Sequence, residues 1–153
     1  MPEVNRPDSG EVLRLDQQLC FPLYAASRLV TRLYHDKLAP LGITYPQYVA
    51  LMILWEEAPC SVSRLGERAM LNSNTLTPLL KRLEQQGLIS RQRDAADERQ
   101  VNINLTAAGR ALENQCQCIP GELIGRIGGQ EAEEFAQLKV LLDKLLPKLR
   151  DAL

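Results

Sequence analysis

Leu15, Leu19, Leu23, Ala26, Val30, Leu33, Leu38 and Leu41 recur mostly at three- and four-residue steps, and that period predicts one long amphipathic helix over 15–41. Asp16 is its expected N-cap. Pro22, which has no N–H, must lie in its first turns or kink it. Gly42 fits a helix stop. Thr44-Tyr45-Pro46-Gln47 reads as a capping box with proline in the first turn, opening a second helix over about 45–56. That helix is almost wholly apolar (Tyr48, Val49, Leu51, Met52, Ile53, Leu54, Trp55), so burial on most sides is expected. Ser61 caps a short third helix to about Ala69, and 70–74 is a turn. A fourth helix runs from Ser73 or Asn74 to Gln86, with Leu76, Leu79, Leu80 and Leu83 on one face, Pro78 in its early turns and Gly87 as its stop.

Beyond Gly87 the period falls to two. Residues 88–93 and 100–105 alternate and flank a polar stretch, Asp94 to Arg99, which predicts a two-stranded hairpin with a charged tip. Thr106 caps a fifth helix to about Cys118. Pro120 and the glycines Gly121, Gly125, Gly128 and Gly129 are expected to loosen the next stretch. A last helix, about 130–149, carries Phe135, Leu138, Leu141, Leu142, Leu145 and Leu146. The expected fold is mainly α with a small β-hairpin wing. A polar tail occupies 1–12, a winged helix-turn-helix 43–105, and two helical segments, 13–42 and 106–153, surround it. Those outer segments hold more apolar helix than a reading head needs, so they are expected to pack against a second copy, giving a homodimer.

Composition narrows the class. A chain of 153 residues with 45% hydrophobic and 24% charged residues is ordinary globular protein. No apolar run approaches the roughly 20 residues of a membrane span, and the polar start lacks the layout of a secretory signal; a cytoplasmic protein with no membrane partner is expected. The net charge of -1 speaks against nucleic acid until it is mapped. Residues 61–110 hold eight Lys or Arg against five Asp or Glu, so a basic reading head is averaged with acidic outer segments. Double-stranded DNA is then the expected partner, as a pseudo-palindromic operator matching a two-fold dimer. Asn72, Ser73, Asn74, Thr75 and Thr77 are short polar residues at the start of the fourth helix, suited to base edges or phosphates. Lys81 and Arg82 follow one turn later, and Arg91, Arg93 and Arg99 belong to the hairpin. Each has a plainer explanation, since such residues commonly cap helices and charged turns are commonly solvated; the conjunction is more specific than its parts.

The cysteines are Cys20, Cys60, Cys116 and Cys118, and the single histidine is His35. The spacing is neither a zinc pattern nor a secreted disulfide framework, so no metal and no cofactor is expected. Cys60, beside Pro59 at a helix junction, reads as a bystander, and His35 as a surface residue.

Leu65-Gly66-Glu67, Thr75-Leu76-Thr77-Pro78-Leu79-Leu80-Lys81-Arg82-Leu83-Glu84, Gly87-Leu88-Ile89 and Asp97-Glu98-Arg99 resemble the MarR family of winged-helix regulators, over about residues 13–150. Gln18-Leu19-Cys20-Phe21-Pro22-Leu23-Tyr24 and Ile43-Thr44-Tyr45-Pro46-Gln47-Tyr48 narrow the resemblance to the OhrR subfamily of organic hydroperoxide resistance repressors. This implies a redox switch in which Cys20 is oxidised by an organic hydroperoxide and the repressor leaves its operator. It further implies that Tyr34 and Tyr45 hydrogen-bond the thiolate, that Tyr24 lies nearby, and that DNA contacts come from about 72–81 and 94–99.

Residue chemistry agrees in part. A sensing thiol must be accessible and ionised. Cys20 stands in the opening turns of a helix, where the dipole favours an anion, but no Lys or Arg lies within four residues and Asp16 opposes ionisation. Tyr24, four residues on, shares its face. Tyr34 is fourteen residues on, roughly 21 Å along a straight helix, so its contact with the thiol is expected from the other subunit. A buried cysteine among core tyrosines is the plainer alternative. Some relatives carry a resolving cysteine near the start of the last helix; the matching positions here hold Gly125 and Gly129. Two routes stay open: Cys116 or Cys118 captures the oxidised thiol, with an intersubunit disulfide preferred, or a low-molecular-weight thiol does so. The competing function is a MarR-type regulator gated by a small aromatic ligand with Cys20 incidental, and a thiol peroxidase is a more remote third. The protein is expected not to be an enzyme.

Overall fold

The computed structural model describes residues 13–128 and 132–153. They contain seven helices and three short strands: α1 (Cys20–Leu38), α2 (Tyr45–Glu57), β1 (Cys60–Ser61), α3 (Val62–Ala69), α4 (Ser73–Gln85), β2 (Ile89–Arg93), β3 (Val101–Leu105), α5 (Ala107–Cys116), α6 (Ile119–Gly128) and α7 (Ala132–Asp151). The expected tail 1–12, Gly129 and Gln130 lie outside the described residues. The chain divides into two compact units, one ending at Glu113 and one spanning Asn114–Leu153.

In the first unit the caps form as the sequence implies. Thr44 and Gln47 make a reciprocal capping box at α2. The Ser61 hydroxyl accepts the Arg64 N–H at 3.1 Å to start α3, and Thr106 accepts the Gly109 N–H at 3.1 Å to start α5. Gly42 and Gly87 both stand at left-handed φ, 76° and 73°, where a helix stop needs them. Leu38, Leu51, Leu54, Leu65, Leu76, Leu80, Leu83 and Ile103 are fully buried, so α2 sits at the centre with α3, α4 and the sheet around it. Each such leucine contributes about 2–3 kcal/mol by leaving water.

The first helix differs from the sequence expectation. It is not continuous over 15–41: α1 starts at Cys20 and ends at Leu38, with single 3-10 turns at Leu15–Gln17 and Ala39–Leu41. Asp16 is not its cap but pairs with Arg14 at 3.1 Å, and Leu19 at the cap position offers no side-chain acceptor. Two prolines explain these limits. Pro22 is tolerated only in a first turn, so the helix can begin no more than a few residues ahead of it, and Pro40 has no N–H with which to continue the ladder beyond Ala39, whose own N–H still bonds the His35 carbonyl.

The hairpin is part of a three-stranded antiparallel sheet ordered β1-β3-β2, not a free pair. Ile89 faces Leu105 and Arg93 faces Val101, while Cys60 pairs with Ile103. A two-residue strand carries no period, which is why β1 has no signature in the sequence. Arg68 bonds Glu56 and Glu57 at 2.6 and 2.8 Å, and Arg64 bonds Glu57 at 3.1 Å, joining the end of α2 to α3.

In the second unit the stretch expected to be loose is a helix. Pro120 falls at the second position of α6, where its missing N–H costs nothing, and Ile119 and Leu123 are buried. The preceding helix stops at Cys116 and not Cys118. α7 exposes Leu138, Val140 and Leu141. No single helix among the described residues is long and apolar enough to cross a membrane.

Candidate functional site

The reading head is built around α4. Its buried leucines fix one face, and Ser73, Asn74, Thr75 and Thr77 are left exposed on the other, with Lys81 exposed one turn on. Asn72 is the N-cap: its Oδ1 accepts the Thr75 N–H at 3.0 Å, so the side chain expected to meet DNA also ends the helix. Met70 closes α3 in the left-handed conformation, at φ 53°.

The wing places Arg93 and Arg99 in solvent. Arg91 does not stand free; it meets the Glu84 carboxylate at 2.6 Å and ties β2 to α4. The tip is ordered by two aspartates. Asp94 accepts the Ala96 N–H at 2.8 Å and the Asn102 side-chain N–H at 3.2 Å, and these bonds hold its carboxyl below the ordinary aspartate range. Asp97 accepts the Arg99 N–H at 3.0 Å. Thr77, Arg91 and Arg99 line one polar cleft of about 340 Å³ between helix and wing.

The ion pairs correct the charge reading. Arg64 and Arg68, counted as part of the basic head, are engaged by Glu56 and Glu57 just outside that window, and the Glu57 carboxyl is held low chiefly by its hydrogen bond from Arg64. Among the described residues, Lys81, Arg82, Arg93 and Arg99 are exposed on the reading helix and wing and make no ion pair, so they remain available to phosphates.

Cys20 is exposed at the first position of α1. Tyr24 is exposed one turn on, with the Arg28 guanidinium 5.5 Å from its ring centre. Tyr34 and Tyr45 come together with ring centres 5.0 Å apart, and Tyr48 lies 5.5 Å from Tyr34. Burial, and then the neighbouring Tyr45, push the Tyr34 phenol up, which keeps it a hydrogen-bond donor. Because α1 is unbroken from Cys20 to Leu38, the tyrosine pair stays about 21 Å along the axis from the thiol of its own chain. The structure thus joins Tyr34 to Tyr45 and leaves Cys20 and Tyr24 apart from them.

The other thiols divide sharply. Cys60 and Cys116 are buried, and burial pushes both thiols up, which disfavours their thiolates. Cys118 is exposed. His35 is exposed as well. Periodicity assigns Tyr48 to the core alone and misses its place in the aromatic cluster; its position three residues after Tyr45 is the available signal. Arg28 beside Tyr24 is likewise missed.

The sequence pattern of the MarR family matches residues 43–101, from the α1–α2 turn into β3. The organic hydroperoxide resistance transcriptional regulator of Bacillus subtilis (strain 168) is 49% identical over 137 residues, covering 90% of this chain and 92% of the relative. The chain belongs to the MarR family. Two solved structures of another MarR-like regulator, AbfR, superpose on it. Reduced AbfR bound to DNA gives a TM-score of 0.79 at 41% identity, covering 92% of this chain and 95% of that one. Overoxidised AbfR bound to DNA gives 0.69 at 40% identity, covering 90% and 99%. The likeness extends well past the winged helix and takes in the MarR-type outer helices.

Proposed function

We propose that the protein is a homodimeric repressor that holds a pseudo-palindromic operator while Cys20 is reduced and releases it when an organic hydroperoxide oxidises that thiol. The observation that carries this is the exposed Cys20 at the first turn of α1, in a chain that presents a complete reading helix and wing and resembles regulators known in reduced and oxidised forms. Residues 43–105 read DNA, through Asn72, Ser73, Asn74, Thr75, Thr77 and Lys81 on the helix side and Arg93 and Arg99 on the wing, with Arg91 at its root. Residues 13–42 and 106–153 form the dimerisation region. Exposed Phe21, Leu29 and Val30 on α1, and Leu138 and Leu141 on α7, are the apolar surface it would cover. Crossing α1 with the partner's copy brings Tyr34 and Tyr45 of one subunit to Cys20 of the other, and Tyr24 shields it.

The chemistry balances as follows. The Cys20 thiolate attacks the terminal oxygen of ROOH, an S–O bond forms as the O–O bond breaks, and the departing alkoxide takes a proton to leave as ROH. Cysteine is oxidised by two electrons to sulfenic acid. A thiol then attacks that sulfur, an S–S bond forms and water leaves. Cys118, exposed, is the chain's own candidate for this step; buried Cys116 is the poorer one, and a low-molecular-weight thiol of the cytoplasm is the other donor. One peroxide is consumed per switch, so the protein works as a regulator and not an enzyme.

The test uses a duplex selected from random sequence by the reduced wild-type protein. Cumene hydroperoxide is expected to release it from the wild type and not from Cys20→Ser, while both bind equally when reduced. Release from Cys20→Ser sinks the sensing claim. Non-reducing electrophoresis of Cys118→Ser, compared with Cys116→Ser, identifies the capturing thiol by loss of the dimer band in one of them.

A further inference from the structure

Gln47 is the buried polar side chain of the core, 5% exposed among the described residues. Its Oε1 accepts the Thr44 N–H at 2.9 Å and so completes the cap of α2. A glutamate would serve that bond equally well. What the amide adds is a donor: Nε2 donates to Gln86 Oε1 at 3.2 Å. Gln86 is the C-cap of α4, and its own Nε2 donates to the Gly42 carbonyl. Both amides therefore use both ends, and the end of the reading helix is tied to a stretch about forty residues earlier, the turn before α2 together with the first turn of α2. Tyr45 lies in that same first turn, between Thr44 and Gln47, with its ring against Tyr34.

We propose that Gln47 and Gln86 are positioning residues that couple the tyrosine pair to the reading helix, carrying a shift of the first turn of α2 through their paired amides to the C-terminal end of α4. The inference rests on the Cys20 reading above, because it supposes that Tyr45 moves when the thiolate it bonds is oxidised. The Gln47–Gln86 bond is part-buried, and Gln47 itself is buried, so water replaces it poorly and the first turn of α2 must move with the end of α4 or lose it; the Gln86–Gly42 bond is exposed and adds less. The coupling is measured by one quantity, the ratio of operator dissociation constants in the oxidised and reduced states.

The experiment compares full-length wild type, Gln86→Ala and Gln86→Met on the selected duplex, before and after treatment with cumene hydroperoxide, with Cys20 oxidation followed by mass spectrometry. Both variants are expected to oxidise at the wild-type rate, yet the ratio should fall about tenfold, the weight of one or two neutral hydrogen bonds. Methionine keeps the stem of the side chain without the amide, so its loss should match that of alanine; a wild-type ratio in Gln86→Met would assign the effect to packing and overturn the proposal. Equal loss of affinity in both redox states leaves the ratio unchanged and also overturns it, as a purely structural role. A wild type that peroxide fails to release removes the Cys20 reading and this coupling with it. A responsive wild type with unaltered variant ratios removes the coupling alone.

Discussion

Four cysteines of one chain meet two kinds of environment, and their chemistry should follow. Cys20 and Cys118 are exposed, while Cys60 and Cys116 are buried with their thiolates disfavoured. Brief alkylation of the reduced folded protein, read by peptide mapping, should label the first two and spare the others until denaturant is added; early labelling of Cys116 would contradict its burial. Asp94 makes a pH prediction. Its carboxyl is held below the ordinary aspartate value by the Ala96 N–H and the Asn102 amide, so its stabilisation of the wing tip is complete above that ordinary value. It is lost as pH falls through the depressed native value, so the Ala96 amide should lose exchange protection only at strongly acid pH, and Asp94→Ala should remove that acid dependence.

Among the elements, α4 and the wing root carry the sharpest tests. Asn72 caps α4 and is also a proposed DNA contact, and one substitution separates the roles. Asn72→Asp keeps the acceptor for the Thr75 N–H, so thermal stability should hold, whereas Asn72→Ala should cost about 1 kcal/mol. Both should weaken operator binding if the side chain meets DNA, the aspartate more strongly because it faces phosphates. At the wing root a Cβ added to Gly109 would overlap the Leu88 carbonyl. Gly109→Ala is expected to lower stability by about 1–3 kcal/mol in urea denaturation, with a matching loss of operator affinity as the wing shifts. Capping chemistry makes most of these elements legible: Thr44, Ser61, Thr106 and Gly87 each mark a boundary by a local rule. The limits of α1 are harder to read because its periodicity outruns its prolines, and α6 because its glycines mask the buried Ile119 and Leu123.

Across the whole molecule, the charge that reaches DNA is smaller than composition suggests. Arg64, Arg68 and Arg91 are spent on Glu56, Glu57 and Glu84, which leaves Lys81, Arg82, Arg93 and Arg99 exposed on the reading helix and wing as the expected phosphate contacts of each chain. A dimer using those four on each half-site should show a slope of about −7 in log K against log salt concentration. A slope near twice that would mean the ion pairs open on binding. The exposed polar residues of α4 are legible because a surface helix exposes whatever its leucines do not occupy. Long-range pairings such as Gln47 with Gln86 are not, since nothing in local spacing announces them. The tyrosine row has one more consequence. Tyr34, Tyr45 and Tyr48 lead to Trp55, 6.3 Å beyond Tyr48, whose indole N–H donates to the Gly109 carbonyl at 2.9 Å. As the chain's single tryptophan, it stands within a few ångströms of an aromatic ring in that row, so its fluorescence is expected to change if oxidation moves Tyr34 and Tyr45, a signal readable without a label.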